Sequence, residues 1–353
     1  MASLLLSWLL LALVPLLRVH SLDYRGADFS SLVNLEKSGI SYSDGGSKKA
    51  FEDILADHGA NIARIRIWTS ESDSDYSLNY GLALARRAVD AGMALMIDLH
   101  YSDTWADPSK QAIPSAWSQD LSSLNTEIWQ YTLDLVTAFK TQGTPIDFIQ
   151  IGNEINGGFL WPTAQVSKNG YEPVSELLHS AASAVRQASP STKTVIHLAN
   201  GWDQASVLSF YQHVLDFQGD LVLDDIDVMA FSMYPFYDSG ATLSALQSSL
   251  KKLISTYGKD VMIVETDWPV QCFWISVQGQ ETWMSDLENI LNGLSGGHGI
   301  GIFYWEPGWI GNAAVRYVFY ANFQQTFIEN DLKDNLLVDG SGKTRSSIDI
   351  FAS

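Results

Sequence analysis

Short apolar runs alternate with longer amphipathic segments along most of the chain. The runs are short enough for buried strands, and the segments between them carry apolar residues at helical spacing. Glycine, aspartate and proline mark the joins. The pattern predicts strands at 24–28, 61–67, 93–99, 147–152, 194–198, 226–232, 261–264 and 300–305. It predicts helices at 48–58, 78–91, 124–141, 175–188, 204–217, 243–257, 282–291 and 346–351.

This succession of strand–helix units favours a closed (β/α)8 barrel, the TIM barrel of the α/β class, as a single domain. An open, doubly wound parallel sheet is the structural alternative. No glycine-rich phosphate loop follows the first predicted strand at 24–28, which weighs against the open sheet. In a barrel of this kind the carboxyl ends of the strands converge on one mouth, where we expect the functional site.

Two glutamates stand just past apolar runs of this pattern. Glu154 follows the run 148–152, and Glu265 follows the run 261–264. A carboxylate beside a buried strand is costly unless it is paired or functional. Two such glutamates, with aromatic and amide side chains nearby, suggest the paired carboxyl groups of a glycosidase.

Other polar and aromatic side chains gather at the same predicted strand ends, and the opposite ends carry far fewer. Arg64 and Arg66 share one face of their strand, so both can point into the barrel, either beside a reacting carboxylate or in an ion pair at the barrel floor. Besides Glu154 and Glu265, the candidate site residues are Arg64, Arg66, His100, Asp103, Trp105, Asn153, His197, Tyr234, Trp268, Trp305 and Trp309.

The net charge restricts the classes of partner. The chain has 21 basic and 40 acidic residues, a formal charge of −19. Such a charge disfavours nucleic acids, anionic membranes and polyanionic substrates such as the backbone of pectin. A neutral polymer is compatible with it.

The first residues are expected to lie outside the fold. Residues 4–17 form an apolar run too short to span a bilayer, and Val19-His20-Ser21 resembles a small-residue cleavage site. We expect a secretory signal peptide at 1–21 and a catalytic barrel at 22–353, in an extracellular protein. A membrane anchor is the alternative for the apolar run.

The single cysteine, Cys272, offers no disulfide partner within the chain. A secreted protein of this kind must be held together by its core, and a chain of this length can bury enough surface to do so. No basic surroundings activate Cys272, so we do not expect it to be catalytic.

Six motifs lie at or near the predicted strand ends and form one specific set. They are YRGAD at 24–28, DLHYSDTWADP at 98–108, IGNEI at 151–155, MYPFY at 233–237, VETDWP at 264–269 and YWEPGWIGN at 304–312. Together they resemble the endo-β-1,4-galactanases of glycoside hydrolase family 53, over residues 22 to 312. The resemblance implies a barrel enzyme that hydrolyses β-1,4-galactan, the side chain of pectin found in type I arabinogalactan, with retention by double displacement.

The resemblance also implies roles for individual residues. Glu154 matches the acid/base of the family, and the apolar strand beside it is expected to raise its pKa. Glu265 matches the nucleophile, whose ionised form an adjacent arginine would favour. Asn153 is expected to bond the sugar 2-hydroxyl, and Tyr234 to orient the nucleophile.

The remaining candidates keep two interpretations each. His100 and His197 are either hydrogen-bonded core histidines or sugar contacts. The tryptophans are either core residues or stacking platforms for a sugar face, and we expect two or three to stack. The tryptophan candidates are Trp105, Trp161, Trp268, Trp305 and Trp309.

No metal ion or other cofactor is expected. The acidic and histidine residues at 98–107 match no compact metal-ligand spacing. Some bacterial relatives bind calcium in the last loop, but that loop diverges here. Residues 315–333 resemble nothing expected after the motif at 304–312, so we expect an atypical surface excursion, with 334–339 resuming the family pattern.

Neutral β-1,4-galactan is therefore the expected partner, and the expected oligomeric state is a monomer. Two other functions stay open. One is a barrel glycosidase acting on another neutral β-1,4-glycan, such as mannan or cellulose. The other is a non-catalytic carbohydrate-binding barrel, which would be expected to have lost one of the two carboxyl groups.

Overall fold

The computed structural model describes residues 22–70, 74–270, 276–311 and 334–352. The expected signal peptide at 1–21, Cys272 and the atypical segment at 315–333 lie outside these residues, so the predictions made for them are not addressed by the structure. Across the described ranges, no helix combines the length and apolarity that crossing a membrane requires.

Eight parallel strands close into a barrel, as predicted. They are β1 (Tyr24–Asp28), β2 (Ile62–Ile67), β3 (Ala94–Leu99), β4 (Phe148–Ile151), β5 (Lys193–Leu198), β6 (Val228–Ser232), β7 (Asp260–Thr266) and β8 (Gly299–Trp305). Each strand pairs with its sequence neighbours, and β1 pairs with both β2 and β8. This closure excludes the open doubly wound sheet.

Helices follow the strands and surround the barrel. The longer ones are Phe51–Asp57, Leu78–Asp90, Leu121–Gln142, Glu172–Ala188, Gln204–Val214, Leu243–Tyr257 and Val277–Asn292. Short α-helices lie at Leu32–Lys37 and Val166–Asn169, and 3-10 turns at Leu223–Asp225, Ser295–Gly297 and Ser346–Phe351. Two antiparallel ribbons pair Tyr42–Asp44 with Ser47–Lys49 and Gly158–Phe159 with Ala164–Gln165.

Two predicted helices differ most from those observed, and several others begin or end about three residues away from the predicted bounds. The helix predicted at 282–291 begins at Val277, because the Ser276 side chain accepts a hydrogen bond from the N–H of Gly279 and caps an earlier start. The terminal helix predicted at 346–351 is a 3-10 turn. It still covers the barrel beside helix Val277–Asn292, where Ser347 donates a hydrogen bond to Gln280 and Phe351 is buried.

The barrel interior changes from apolar to polar toward the carboxyl ends of the strands. Its apolar layer is formed by Ile62, Met96, Phe148, Val195, Val228, Ala230, Met262, Val264, Ile300 and Phe303. Because alternate residues of a strand share a face, Ile62 is followed on the same side by Arg64 and Arg66. At Gly26 of β1 the neighbouring strand approaches so closely that a Cβ would lie 2.4 Å from the carbonyl oxygen of Ile62.

Strand β7 departs from regular pairing just before Glu265. Phe231 of β6 pairs with Ile263, but Ser232 pairs with Glu265, so Val264 is one residue too many. This is a β-bulge, which interrupts the alternation of side chains. Val264 belongs to the apolar layer inside the barrel, and the next residue, Glu265, faces the mouth as well.

Candidate active site

A cleft of about 500 Å³ opens at the carboxyl ends of the barrel strands. Most of the predicted site residues line it, which confirms that the strand ends meet at one mouth. These residues are Arg64, Arg66, His100, Trp105, Asn153, Glu154, Tyr234, Glu265 and Trp305.

Glu154 reaches the cleft through an unusual backbone turn. β4 ends at Ile151, and the chain then passes through Gly152 and Glu154, with φ of 101° and 50°. A left-handed backbone is uncommon for a residue other than glycine and often marks a functional position. The residue as a whole stays partly exposed, and its Oε1 lies 2.6 Å from Ser232 Oγ.

Glu265 is held by two donors on the opposite side of the cleft. Arg64 Nη2 lies 2.9 Å from Oε1, and the Tyr234 hydroxyl donates to Oε2 over 3.1 Å. Burial raises the pKa of Glu265, while the positive charge of Arg64 opposes this shift. The predicted bond from Tyr234 and the predicted neighbouring arginine are therefore both present.

The two glutamates have different environments. Burial, followed by the charge of Glu265, raises the pKa of Glu154. Arg64 makes its ion pair with Glu265 and so stabilises the carboxylate form of that residue. When the pair of glutamates holds one proton, that proton is therefore favoured on Glu154. A carboxylic acid facing a carboxylate is the arrangement that acid-assisted displacement requires.

Arg64 is the centre of the buried polar network. Its guanidinium donates to Asp28 at 2.9 Å, to Asp98 at 3.0 Å and to Asn153 at 3.0 Å, in addition to its pair with Glu265. The side chain of Gln150 accepts from it as well, at 3.1 and 3.2 Å. Arg64 therefore lies beside the candidate nucleophile, Glu265, and also takes part in the buried ion pairs of the barrel. Both interpretations given for it from the sequence hold.

Arg66 serves a different part of the mouth. It pairs with Glu306 at 2.6 Å and donates to Ser31 Oγ at 2.7 Å. Its guanidinium lies over the ring of Trp105, 4.2 Å from the centroid. Trp105 in turn stacks on Trp309, with centroids 5.9 Å apart and planes at 17°. Arg66 thus supports the aromatic wall of the cleft through a cation–π contact.

The two histidines are fully engaged by protein groups. His100 Nδ1 accepts from the N–H of Ala106 at 2.9 Å, and Nε2 lies 3.0 Å from Asp98. His197 lies between Asn153 and Ser232, at 2.9 Å from each. Burial, and then the charge of Arg64, lower the pKa of His197 well below its usual range, so its ring is neutral. These contacts favour the interpretation of both as hydrogen-bonded core histidines.

Four predicted site residues do not line the cleft: Asp103, His197, Trp268 and Trp309. Asp103 joins two loops, accepting from Thr69 Oγ1 at 2.8 Å and from the N–H of Ser115 at 2.7 Å. Trp268 packs beside Trp283, with ring centroids 5.1 Å apart. Trp161, a further stacking candidate, is also absent from the lining and donates to the carbonyl of Gly157.

Sequence reasoning missed several residues that the structure places in or beside the cleft. Gln150 could have been predicted from the sequence. Strand alternation turns it into the barrel with Phe148, and a buried amide in the run Phe-Ile-Gln-Ile needs hydrogen-bond partners there. Tyr237 lines the cleft from the loop after β6. Tyr237 has 63% of its surface exposed, so periodicity gave no indication of it.

The donor set does not resemble a metal centre. Within the residues that the structure describes, no group of three or more His, Cys, Asp or Glu side chains is arranged to hold a metal ion. The carboxylates around Arg64 are instead bonded to guanidinium, amide and hydroxyl groups.

Comparisons with known proteins agree with this geometry. An arabinogalactan endo-β-1,4-galactanase A of Aspergillus niger is 42% identical over 361 residues, covering 97% of this chain and 98% of that protein. A further arabinogalactan endo-β-1,4-galactanase, from Thermothelomyces thermophilus, is 40% identical over 347 residues, covering 94% and 99%.

Solved structures give the same result. A fungal β-1,4-galactanase superposes with a TM-score of 0.85 at 39% identity, over 94% of this chain and 99% of that one. The glycoside hydrolase family 53 catalytic domain of Ignisphaera aggregans gives a TM-score of 0.80 at 28% identity, covering 96% and 97%. The family model for glycosyl hydrolase family 53 matches residues 24–351. The chain therefore belongs to glycosyl hydrolase family 53.

Proposed function

We propose that this protein is a retaining endo-β-1,4-galactanase that uses Glu154 as acid/base and Glu265 as nucleophile. The observation that carries the proposal is the placement of the two carboxyl groups in one cleft with unequal partners. Arg64 and Tyr234 stabilise Glu265 as a carboxylate, whereas burial and the charge of Glu265 favour the acid form of Glu154.

The reaction proceeds in two displacements. Glu265 attacks the anomeric carbon while Glu154 donates its proton to the glycosidic oxygen, and a galactosyl-enzyme ester forms as the leaving chain departs. Glu154, now a carboxylate, removes a proton from water, which displaces Glu265 from the same carbon. Asn153 is positioned beside Glu154, and its second Nδ2 hydrogen is assigned to the sugar 2-hydroxyl.

The substrate follows from the relatives and from the charge. The proteins from Aspergillus niger and Thermothelomyces thermophilus are named for cleavage of arabinogalactan at β-1,4-galactosyl linkages, and they align over nearly the whole of this chain. A formal charge of −19 suits a neutral galactan better than an acidic polymer. Trp105 and Trp305 line the cleft, and we assign them to stacking on galactose.

Secretion is part of the proposal. The apolar run at 4–17, followed by a small-residue cleavage site, supports export of the mature chain. Galactan side chains of pectin lie outside cells, so an extracellular enzyme would meet its substrate there. N-terminal sequencing of the protein recovered from culture medium tests the cleavage near Ser21.

The stereochemistry of the first product tests the mechanism. Because Glu265 occupies the anomeric carbon before water does, the reducing end released from galactan should first appear as the β-anomer, observable by proton NMR before mutarotation. In a complex with substrate, the Glu154 and Glu265 carboxyl groups should lie about 5–5.5 Å apart. An α-anomer as the first product would contradict double displacement.

A panel of polymers tests the substrate. The purified mature enzyme is expected to release reducing sugar from β-1,4-galactan and none from polygalacturonate, because a negatively charged mouth repels an anionic chain. Mannan and cellulose serve as neutral controls with the same linkage position. Preferential cleavage of either control would favour the alternative glycosidase, and no cleavage of any polymer would favour a binding barrel.

A further inference from the structure

A chain of hydrogen bonds leads from Asn153 through His197 and Ser232 to Glu154. Ser232 Oγ lies 2.6 Å from Glu154 Oε1 and 2.9 Å from His197 Nε2. His197 Nδ1 lies 2.9 Å from Asn153 Oδ1. His197 is completely buried and Ser232 and Asn153 nearly so, which leaves these bonds little competition from water.

The direction of the chain can be assigned from its far end. Arg64 is a donor only, so the Asn153 atom that faces Arg64 Nη2 at 3.0 Å must be the oxygen. The amide nitrogen of Asn153 donates to the carbonyl of Ala106 at 2.8 Å, which agrees with this orientation. His197 Nδ1 faces the same oxygen and must therefore carry the ring hydrogen.

The remaining bonds then follow in order. A neutral imidazole with hydrogen on Nδ1 has a lone pair on Nε2, so Ser232 must donate to it. A serine hydroxyl has a single hydrogen, so toward Glu154 Oε1 it can only accept. Every hydrogen bond from Asn153 to Glu154 then has one donor and one acceptor when Glu154 carries its proton.

Gln150 does not reverse this assignment. Its amide nitrogen lies 3.1 Å from His197 Nδ1, but its two hydrogens have acceptors in Asp98 Oδ1 and in Asn153 Oδ1 or the carbonyl of Gly152. If His197 instead carried its hydrogen on Nε2, the Nδ1 lone pair would face the Asn153 oxygen at 2.9 Å. That contact is repulsive.

We propose that Ser232 and His197 are positioning residues that hold Glu154 in its acid form by offering it a hydrogen-bond acceptor. When Glu154 ionises, the Ser232 hydroxyl must turn toward the carboxylate, and buried Nε2 of His197 loses its donor. An unmade bond at a buried acceptor disfavours that state. The inference rests on the proposed role of Glu154 as proton donor.

Other charged groups also face Glu154. Glu265 and Asp107 disfavour its ionisation, and Arg64 favours it. A Ser232 hydroxyl that donated to the carboxylate would favour ionisation as well, which is the reverse of the direction that the hydrogen-bond chain requires. The charge interactions act through space and remain when Ser232 is altered, so the contribution of the chain can be isolated. The proposal predicts the direction in which the pKa of Glu154 changes when Ser232 is lost. If Ser232 accepts from Glu154, its loss should lower this pKa. If Ser232 instead donated to the carboxylate, its loss would raise it.

The test compares Ser232→Ala with Ser249→Ala, a matched change at a buried serine in helix Leu243–Tyr257. For Ser232→Ala, the basic limb of kcat/KM on galactan should move to lower pH by about one to two units. Ser249→Ala should leave the limb in place. An unchanged or upward-shifted limb for Ser232→Ala would overturn the proposal, as would an equal shift with an activated aryl galactoside, whose leaving group needs no proton.

Nitrogen-15 NMR of the histidines provides a readout that does not depend on activity. Below the titration of Glu154, His197 should show the neutral tautomer with hydrogen on Nδ1, assigned by loss of its signals in His197→Asn. The tautomer with hydrogen on Nε2 would contradict the assigned direction of the hydrogen bonds and overturn the proposal. Failure of the proposed function would give a different result, because Glu154→Ala would then keep its activity on galactan. The tautomer of His197 would still show whether Ser232 donates to His197.

Discussion

Replacement of Glu265 by alanine is expected to lower kcat on galactan by on the order of 10⁴-fold or more, because Glu265 is the carboxylate proposed to form the galactosyl ester. The structure gives a second expectation. The vacated space lies beside Arg64 and Tyr234, donors that would suit a small anion. Added azide should therefore restore turnover of an activated galactoside and yield the α-galactosyl azide, identified by NMR.

Glu154→Ala should behave in the opposite way and serves as the matched comparison. It is expected to lose about 10²–10⁴-fold on galactan, whose leaving sugar needs a proton. It should keep its glycosylation rate on an aryl galactoside with an acidic leaving group, measured as a burst of phenol. If azide rescued Glu154→Ala with the α-product and Glu265→Ala showed the burst, the two assignments would have to be exchanged.

Replacement of Arg64 by methionine is expected to destabilise the fold by about 3–5 kcal/mol. The substitution keeps much of the side-chain volume but leaves Asp28, Asp98 and Glu265 without their shared cation inside the barrel. The free energy of unfolding, measured by urea denaturation at neutral pH, gives the loss directly. Activity should fall as well, because Glu265, the proposed nucleophile, loses its stabilising charge.

The loss of unfolding free energy in Arg64→Met should depend on pH, and Asp98 determines the direction of that dependence. Burial alone would raise the pKa of Asp98, but Arg64 and His100 lower it to about 2. A carboxyl group with a depressed pKa stabilises the fold above its unfolded pKa of about 3.9, and this stabilisation is lost as pH falls toward about 2. The difference between wild type and Arg64→Met should therefore shrink over that interval.

Arg25→Met is the control for this experiment. Arg25 is also largely buried, but it lies at the other end of the barrel, where it pairs with one carboxylate among the described residues, Glu288, at 2.9 Å. Its removal should cost less than that of Arg64 and should leave kcat unchanged. Equal losses for the two variants would mean that the network around Arg64 adds nothing beyond one ion pair.

The sequence predicted the barrel because each strand–helix unit has its own periodicity, and eight units in succession leave few other topologies. It predicted the mouth because strand ends in such a barrel must converge. It did not distinguish residues that point into the cleft from those beside it. Asp103 and Trp268 lie in loops after strands, where neither alternation nor helical period fixes the direction of a side chain.

Glu154 and Glu265 show that local sequence patterns also do not fix how a side chain is presented to the cleft. Glu154 adopts a left-handed backbone that no local propensity favours. Glu265 follows a bulge that depends on pairing between β6 and β7, a contact between distant parts of the chain. Local patterns therefore pointed to these two glutamates, whereas tertiary pairing decides how their side chains are presented to the cleft.

The bulge in β7 bears on any attempt to move this chemistry to another scaffold. Builders of new barrels prefer regular strands, which pack predictably and are often very stable. A regular β7 carrying the same residues would keep Met262 and Val264 inside and turn the next side chain toward the surrounding helices. Such a copy would contain every residue of the proposed site, but the carboxyl group after Val264 would point away from the cleft. The unit to transplant is therefore the extra residue together with the glutamate it redirects.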